Sequence, residues 1–288
     1  MPTLKGLVSL VLLTLNTLFW GVPLILLTLL KLVTPGRALR RRVLQGLNAV
    51  ALNWIGVNLW WMRHWLKPRF EIEVPEGLRR DQWWLVISNH RSWTDIFVLF
   101  FALHRRIPMP RFFLKRQLIW IPIVGLAWWA LEYPFMRRMS AEQRARHPHL
   151  ARRDQEATER MCHRAREAPI AIFNFLEGTR FTPAKREAQG APFRQLLRPR
   201  AGGIAQVINL LGDRLEGVLD VTLSYDNPDP TFWGFLCGQE QRVVMKARVL
   251  PVPAWMLEGD YQDDPDLKER FHSWLNALWQ EKDDSLSR

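Results

Sequence analysis

Two short blocks of this chain carry residues that could move a proton and hold an anion. In LVISNHRSWTDIFVLF an apolar strand-like run ends at Ser88, Asn89 and His90 form a turn, and Ser92 opens a helical run with Asp95 three positions on, an S-x-x-D capping arrangement. A histidine just past the carboxyl end of a buried strand sits at the rim of a sheet, where α/β proteins place their ligands. Asp95, one turn into the next helix, can reach back to one imidazole nitrogen and fix its tautomer. The other nitrogen is then free to take a proton from a substrate hydroxyl. The same spacing also suits a helix-capping Asp95 beside a merely polar His90, and the pair alone leaves both readings open. In the second block, FLEGTRFTP, Gly178 allows a tight turn, Thr179 and nearby backbone N–H groups offer anion donors, and Arg180 supplies a planar guanidinium suited to phosphate. Glu177 beside them is hard to explain as surface decoration.

Other chemistries lack their anchors. The chain has no G-x-S-x-G elbow, no G-x-x-x-x-G-K-[ST] loop and no G-x-G-x-x-G, which removes the usual serine-hydrolase and nucleotide-cofactor motifs. His147, His149, Cys162 and His163 share one charged segment, but their spacing matches no known metal finger and the segment reads as a salt-bridged helix. No metal and no cofactor is expected.

Positioning these blocks requires strands and helices in alternation, and after about residue 66 the sequence supplies them, the pattern of an α/β layer structure. Residues 69–74, 83–88, 170–175, 217–225 and 242–250 read as strands, and 93–104, 141–167, 202–212 and 265–281 as helices. The tail EKDDSLSR, 281–288, is expected to fray. The run LIWIPIVGLAWWAL, 118–131, is uncharged and too short to span a bilayer. It suits a core helix and a segment dipping into a membrane surface equally well.

The 288 residues are 48% apolar, enough for one large core, and two cysteines cannot build a disulfide framework. Forty Lys+Arg against 28 Asp+Glu give +12, which attracts polyanions, nucleic acid or anionic lipid alike. Eleven of the fifteen tryptophans fall before residue 130, and tryptophan favours the membrane interface. Leu7 to Leu30 is uncharged for 24 residues, against roughly 20 needed to cross a hydrocarbon core. Lys5 precedes this run and Lys31, Arg37, Arg40, Arg41 and Arg42 follow it, a bias that puts the bulk of the protein in the cytoplasm. Val43 to Met62 is also uncharged but holds four amides and three tryptophans, which predicts an interfacial helix beside a single span. The expected organisation is 1–66 as membrane-anchoring helices and 67–288 as one further domain.

NHRSWTD and FLEGTR resemble the N-H-x-x-x-x-D and F-P-E-G-T-R blocks of the glycerophospholipid acyltransferases of the 1-acylglycerol-3-phosphate acyltransferase (PlsC) type, with Leu176 in place of the proline. FLKRQLIWIPIVGLAWWALEYPFMRR, LRPRAGGIAQVI and LDVTLSY look most like its lysocardiolipin acyltransferase-like and bacterial YihG-like branch. The resemblance runs over roughly residues 63 to 250. It implies a mixed sheet flanked by helices and transfer of an acyl group from acyl-CoA or acyl carrier protein to a lysophospholipid hydroxyl. The place of action would be the cytoplasmic face of a bacterial inner membrane. His90 is implied as general base, Asp95 as its partner, and Glu177, Gly178, Thr179 and Arg180 as the block that binds the acceptor phosphate. Arg138 falls where the family's middle block has an arginine, Lys115 is a further phosphate contact, and Glu132 stands where many members have glycine. The oxyanion is expected to meet backbone donors near Asn89 to Ser92 or at the Gly178 turn. Membrane lipids, the acceptor and the thioester donor are the expected partners, and no nucleic acid is. Two alternatives keep the same features: another lipid acceptor on this fold, or a non-enzymatic, membrane-tethered protein binding anionic lipid or nucleic acid.

Overall fold

A computed structural model describes residues 2–137, 146–239 and 242–287. Along the chain run α1 (Pro2–Val33), α2 (Arg37–Trp61), β1 (Arg69–Glu73), β2 (Trp83–Ser88), α3 (Thr94–Leu103), β3 (Pro110–Phe112) and β4 (Leu114–Lys115). There follow α4 (Val124–Ala130), β5 (Phe135–Met136), α5 (Pro148–Ala165), β6 (Ala171–Phe175), α6 (Pro183–Ala188), α7 (Gly202–Leu211), β7 (Leu215–Tyr225), α8 (Phe232–Leu236), β8 (Arg242–Leu250) and α9 (Pro265–Leu286).

Among the described residues, six strands form one mixed sheet in the order β1-β8-β7-β2-β6-β3, with only β7 and β8 antiparallel. The period-two geometry of β2 explains its uninterrupted apolar sequence. Trp84 and Val86 enter a core shared with α2 and α3, while Leu85 and Ile87 enter a second core lined by α5, α7 and α9. Helices on both faces thus bury most of β2, β6 and β7. The α/β expectation holds, and β2 and β8 have the predicted limits. β3 escaped notice because it is three residues long, starts with proline and lies at the sheet edge, where a missing N–H is tolerated. α6 and α8 are too short for a helical period to register. The helix expected from 141 is described from Pro148; the residues before 146 in that range lie outside the described ones.

α1 has most of its polar side chains turned inward. Lys5 Nζ donates to the Leu66 carbonyl, Ser9 Oγ to that of Leu236, and Asn16 Nδ2 to the Trp54 carbonyl and Asn58 Oδ1. At the far end Lys31 Nζ donates to the Ala130 carbonyl and Glu132 Oε1, both at 2.7 Å. The helix, about 48 Å long at 1.5 Å per residue, is therefore fastened to the α/β domain from end to end along one stripe. Leu4, Val11, Leu15, Leu18, Phe19, Val22, Leu26 and Leu29 face outward and are exposed. α2 packs beside it, burying Val43, Leu47, Val50, Ala51, Ile55 and Asn58 at helical spacing.

The tail expected to fray is instead helical to Leu286. Asp264 caps the start of α9 by accepting from the N–H groups of Asp266 and Leu267, and Pro265 occupies the first turn. Near its end Lys282 is fully buried and donates to Asp220 Oδ1 at 2.6 Å, the Val221 carbonyl at 2.6 Å and Thr222 Oγ1 at 2.9 Å. A charge count alone reads EKDD as solvated, but three acceptors on β7 make burial of this ammonium feasible. Removing it would leave Asp220 buried with only Arg248, 3.1 Å away, as counterion. Lys282→Ala should accordingly lower the free energy of unfolding by about 3 kcal/mol. Urea unfolding measures this, and an unchanged midpoint would contradict the role given to the tail.

Candidate active site

The parallel pairing of β2 with β6 sets Ser88 opposite Phe175, and His90 and Glu177 each follow two residues after that pair. Both motif blocks therefore leave the same sheet edge at the same height, although 87 residues separate His90 from Glu177. Asn89 prolongs the sheet with its side chain. Its Nδ2 donates to the Leu223 carbonyl at 2.9 Å and its Oδ1 accepts the Leu223 N–H at 2.8 Å, imitating a strand residue while the backbone turns off.

His90 Nδ1 lies 2.7 Å from Asp95 Oδ2. The same oxygen accepts the N–H groups of Arg91 at 2.7 Å and Ser92 at 3.1 Å, and Oδ1 accepts the Tyr225 hydroxyl at 2.5 Å. Asp95 has no solvent exposure. Asp95 Oδ2 already accepts two backbone N–H groups, and the pairing with it fits the tautomer in which Nδ1 donates and Nε2 points away from Asp95. Capping and orientation of His90, alternatives in the sequence, are here performed by one carboxylate. Phe175 stacks beneath the imidazole at 4.1 Å between ring centres. Tyr225 went unread because a terminal strand tyrosine gives no signal of its own.

The FLEGTR block divides its labour. Glu177 points inward with no solvent exposure, accepting the N–H of His90 at 3.0 Å and of Leu197 at 3.1 Å. Burial pushes its carboxyl up to about 8, against the opposing pull of those two N–H groups. Gly178 stands at φ +68°, and a Cβ there would press on the Arg200 side chain at 3.3 Å. Neither lines the cavity described below, and both act on the shape of the turn. Leu176, where a proline was expected, donates its N–H to the Ser88 carbonyl at 3.2 Å and accepts that of Arg200 at 2.9 Å. Phe181 N–H closes back on the His90 carbonyl at 2.8 Å, so the two blocks hold each other through backbone.

Thr179 and Arg180 do reach the opening. With His90, Lys115, Trp93 and Phe175 they form the polar end of a cavity of about 240 Å³. Its body is apolar, lined by Phe112, Leu118, Ala127 and Tyr133 and closed by Leu24 of α1 and Val50, Trp54 and Ile55 of α2. The Arg180 guanidinium lies 5.7 Å over the Trp93 ring. Lys185 Nζ donates to Thr179 Oγ1 at 3.0 Å and the Arg180 carbonyl at 2.8 Å, and burial together with Arg180 and Lys115 holds its amine below the usual lysine range. Sequence reading missed Lys185, whose only hint is its place on the Thr182-capped, proline-led helix α6. Arg138 lies outside the described residues. Glu132, at a position expected to favour glycine, has φ +64°; its carboxylate binds Lys31 at 2.7 Å and Arg164 at 3.0 Å, linking α1 to α5.

The backbone donors of the two turns are unequally engaged. The N–H groups of His90, Arg91 and Ser92 donate to Glu177 and Asp95, and that of Gly178 to the Phe175 carbonyl, whereas the next two residues of that turn, Thr179 and Arg180, line the cavity. No cysteine is at hand. Cys162 is buried in the core lined by α5, α7 and α9, its thiol pushed up to about 12 by burial.

A family model described as Acyltransferase matches residues 69–226. The chain is 28% identical over 213 residues to the 1-acyl-sn-glycerol-3-phosphate acyltransferase delta of Mus musculus, covering 69% of this chain and 51% of that protein. It is 29% identical over 178 residues to the gamma form of Homo sapiens, covering 59% and 43%. The chain thus spans about half the length of the curated relatives it matches. The crystal structure of the 1-acyl-sn-glycerophosphate (LPA) acyltransferase PlsC from Thermotoga maritima superposes with a TM-score of 0.47 and 17% identity, covering 96% of this chain and 98% of that one.

The buried Glu177 makes stability depend on pH. Between its ordinary value of 4.5 and about 8 the folded protein holds a proton that the unfolded chain has lost. Stability should therefore fall as pH rises through that window, by up to about 1.4 kcal/mol per unit. Subtracting urea unfolding curves of Glu177→Gln from wild type at pH 5 to 8 isolates this slope, and a flat difference would refute the raised value.

Proposed function

This chain belongs to the acyltransferase family, and on that premise we propose that it moves a fatty acyl group from an acyl thioester, acyl-CoA or acyl carrier protein, to the hydroxyl of a lysophospholipid such as 1-acylglycerol-3-phosphate. The observation that carries this reading is the His90–Asp95 pair opening, between Arg180 and Lys115, onto a cavity whose body is apolar. The polar end suits a glycerol phosphate head and the thioester carbonyl; the apolar body suits a hydrocarbon chain.

In this mechanism His90 Nε2 takes the proton of the acceptor hydroxyl as its oxygen attacks the thioester carbonyl. Asp95 stabilises the imidazolium through Nδ1. The tetrahedral intermediate collapses by breaking the C–S bond, and the imidazolium returns its proton to the departing sulfur. With the neighbouring N–H groups committed elsewhere, the developing oxyanion falls to the donors of Thr179 and Arg180. Arg180 and Lys115 hold the phosphate, and Lys185 steadies the Thr179–Arg180 turn from behind. No cysteine lines the cavity, which supports direct attack over an acyl-enzyme.

The fastening of α1 to the domain at both ends, with apolar side chains outward, supports a membrane seat different from a simple span. A helix crossing the bilayer would carry the attached domain edge with it. In our reading α1 lies along one leaflet with its outward face in hydrocarbon and α2 beside it, the domain on the cytoplasmic side of a bacterial inner membrane. The motif-level likeness to the lysocardiolipin acyltransferase-like, YihG-like branch is carried in this proposal for the acceptor's class.

Purified protein given mixed lysophospholipids and acyl thioesters, with products resolved by mass, tests the reading. His90→Ala should abolish transfer while the far-ultraviolet circular dichroism stays that of the folded protein, and Asp95→Asn should lower kcat by roughly 10²- to 10⁴-fold. Undiminished transfer by His90→Ala would end the assignment. Initial-rate patterns should intersect as for direct transfer, and parallel lines would replace this mechanism with an acyl-enzyme. Arg180→Ala should raise the acceptor KM by about tenfold or more.

A further inference from the structure

The stretch between β4 and β5 has two sides. Inward, Leu118, Ile123, Val124 and Ala127 form one wall of the cavity. Outward, the turn Arg116–Trp120 buries no residue, Trp120 is 85% exposed, and Ile121 and Pro122 follow it into solvent. The proposed reaction uses only the inner side.

The outer tip is packed against α1. Ile123, a β-branched residue, is held at φ +62°, a conformation such residues avoid unless their surroundings impose it. Those surroundings include Gly21 of α1, where a Cβ would lie 3.0 Å from Ile123, and Gly125, where one would collide with the Ile119 carbonyl at 2.1 Å. The tip therefore sits at the middle of α1, on whose outer face Leu18, Val22 and Leu26 are exposed.

Charge names the occupant. Residues 1–70 and 96–131 together carry 14 Lys+Arg and no Asp or Glu, whereas the other 182 residues carry 26 and 28. The whole surplus of the protein thus rides on the two segments that also expose apolar side chains. Acid-free, basic and tryptophan-bearing surface matches an anionic lipid interface.

We propose that Trp120, Ile121 and Pro122 insert into the surface of an anionic bilayer as a second attachment point beside α1. Lys115, five residues before Trp120 and on the rim of the cavity, is then held at headgroup level. This rests on the reading that the outer face of α1 lies in the membrane, and it adds a separate contact to it.

The test places an environment-sensitive fluorophore on single introduced cysteines, Trp120→Cys, Leu18→Cys on α1 and Glu269→Cys on exposed α9, with the unsubstituted protein as control for its two buried cysteines. Vesicles of phosphatidylglycerol and phosphatidylethanolamine, with and without brominated acyl chains, are added to the full chain. A blue shift and bromine quenching at 120 and 18 but not at 269 support the proposal. A response at 18 without one at 120 overturns it and leaves the seating of α1 intact; silence at both overturns the two together. Independently, Trp120→Asp should weaken partition onto these vesicles by roughly tenfold, and unchanged partition would also overturn the insertion of this tip.

Discussion

A carboxylate removed from water needs its oxygens filled by donors, and in this protein the donors that fill Asp95 belong to the turn that carries His90. The energetic demand of one buried charge thereby becomes geometric control over an imidazole. Burial of the carboxylate requires the Arg91 and Ser92 N–H groups to converge, their convergence sets the path of the turn, and the path sets the ring. Tyr225 closes the shell from β7, so the sheet itself takes part. Glu177 repeats the device on the other block, a second buried carboxyl gripping the His90 N–H from behind. The residues around the cavity opening are consequently held from within the domain, and Thr179, Arg180 and Lys115 line that opening beside them.

Much of this was legible in the sequence because it rests on local signals. An apolar run ending in a turn placed His90 at a strand end, and the capping spacing placed Asp95 within its reach. What local signals lack is direction. Glu177 and Arg180 are three residues apart in the same block, yet one faces the core and the other the opening, and the left-handed turn at Gly178 that separates them has no side-chain code for facing. Tyr225 and Lys185 were invisible for a related reason: each acts through a partner far away in the fold or through a short helix with no period. The tail was misread because EKDD looks solvated until β7 presents three oxygens to Lys282.

α1 shows the same limit in the opposite sense. Its composition suggested a span, and the length and apolarity are those of one. Most of its polar residues, among them Lys5, Ser9, Asn16, Thr28 and Lys31, face the protein while most of its leucines face away. The helix is amphipathic with the usual sense reversed, and hydropathy averaged along the chain cannot register that.

The two-residue overhangs beyond Ser88 and Phe175 carry an evolutionary consequence. Parallel pairing fixes the height of the two blocks whatever the length of the chain between them, although that chain also carries Asp95, Lys115 and the cavity wall of Phe112, Leu118 and Tyr133. A single inserted residue inside either overhang would rotate its functional group to the opposite side of the sheet. Insertions should therefore be tolerated in surface turns of the connecting stretch and not within these dipeptide offsets.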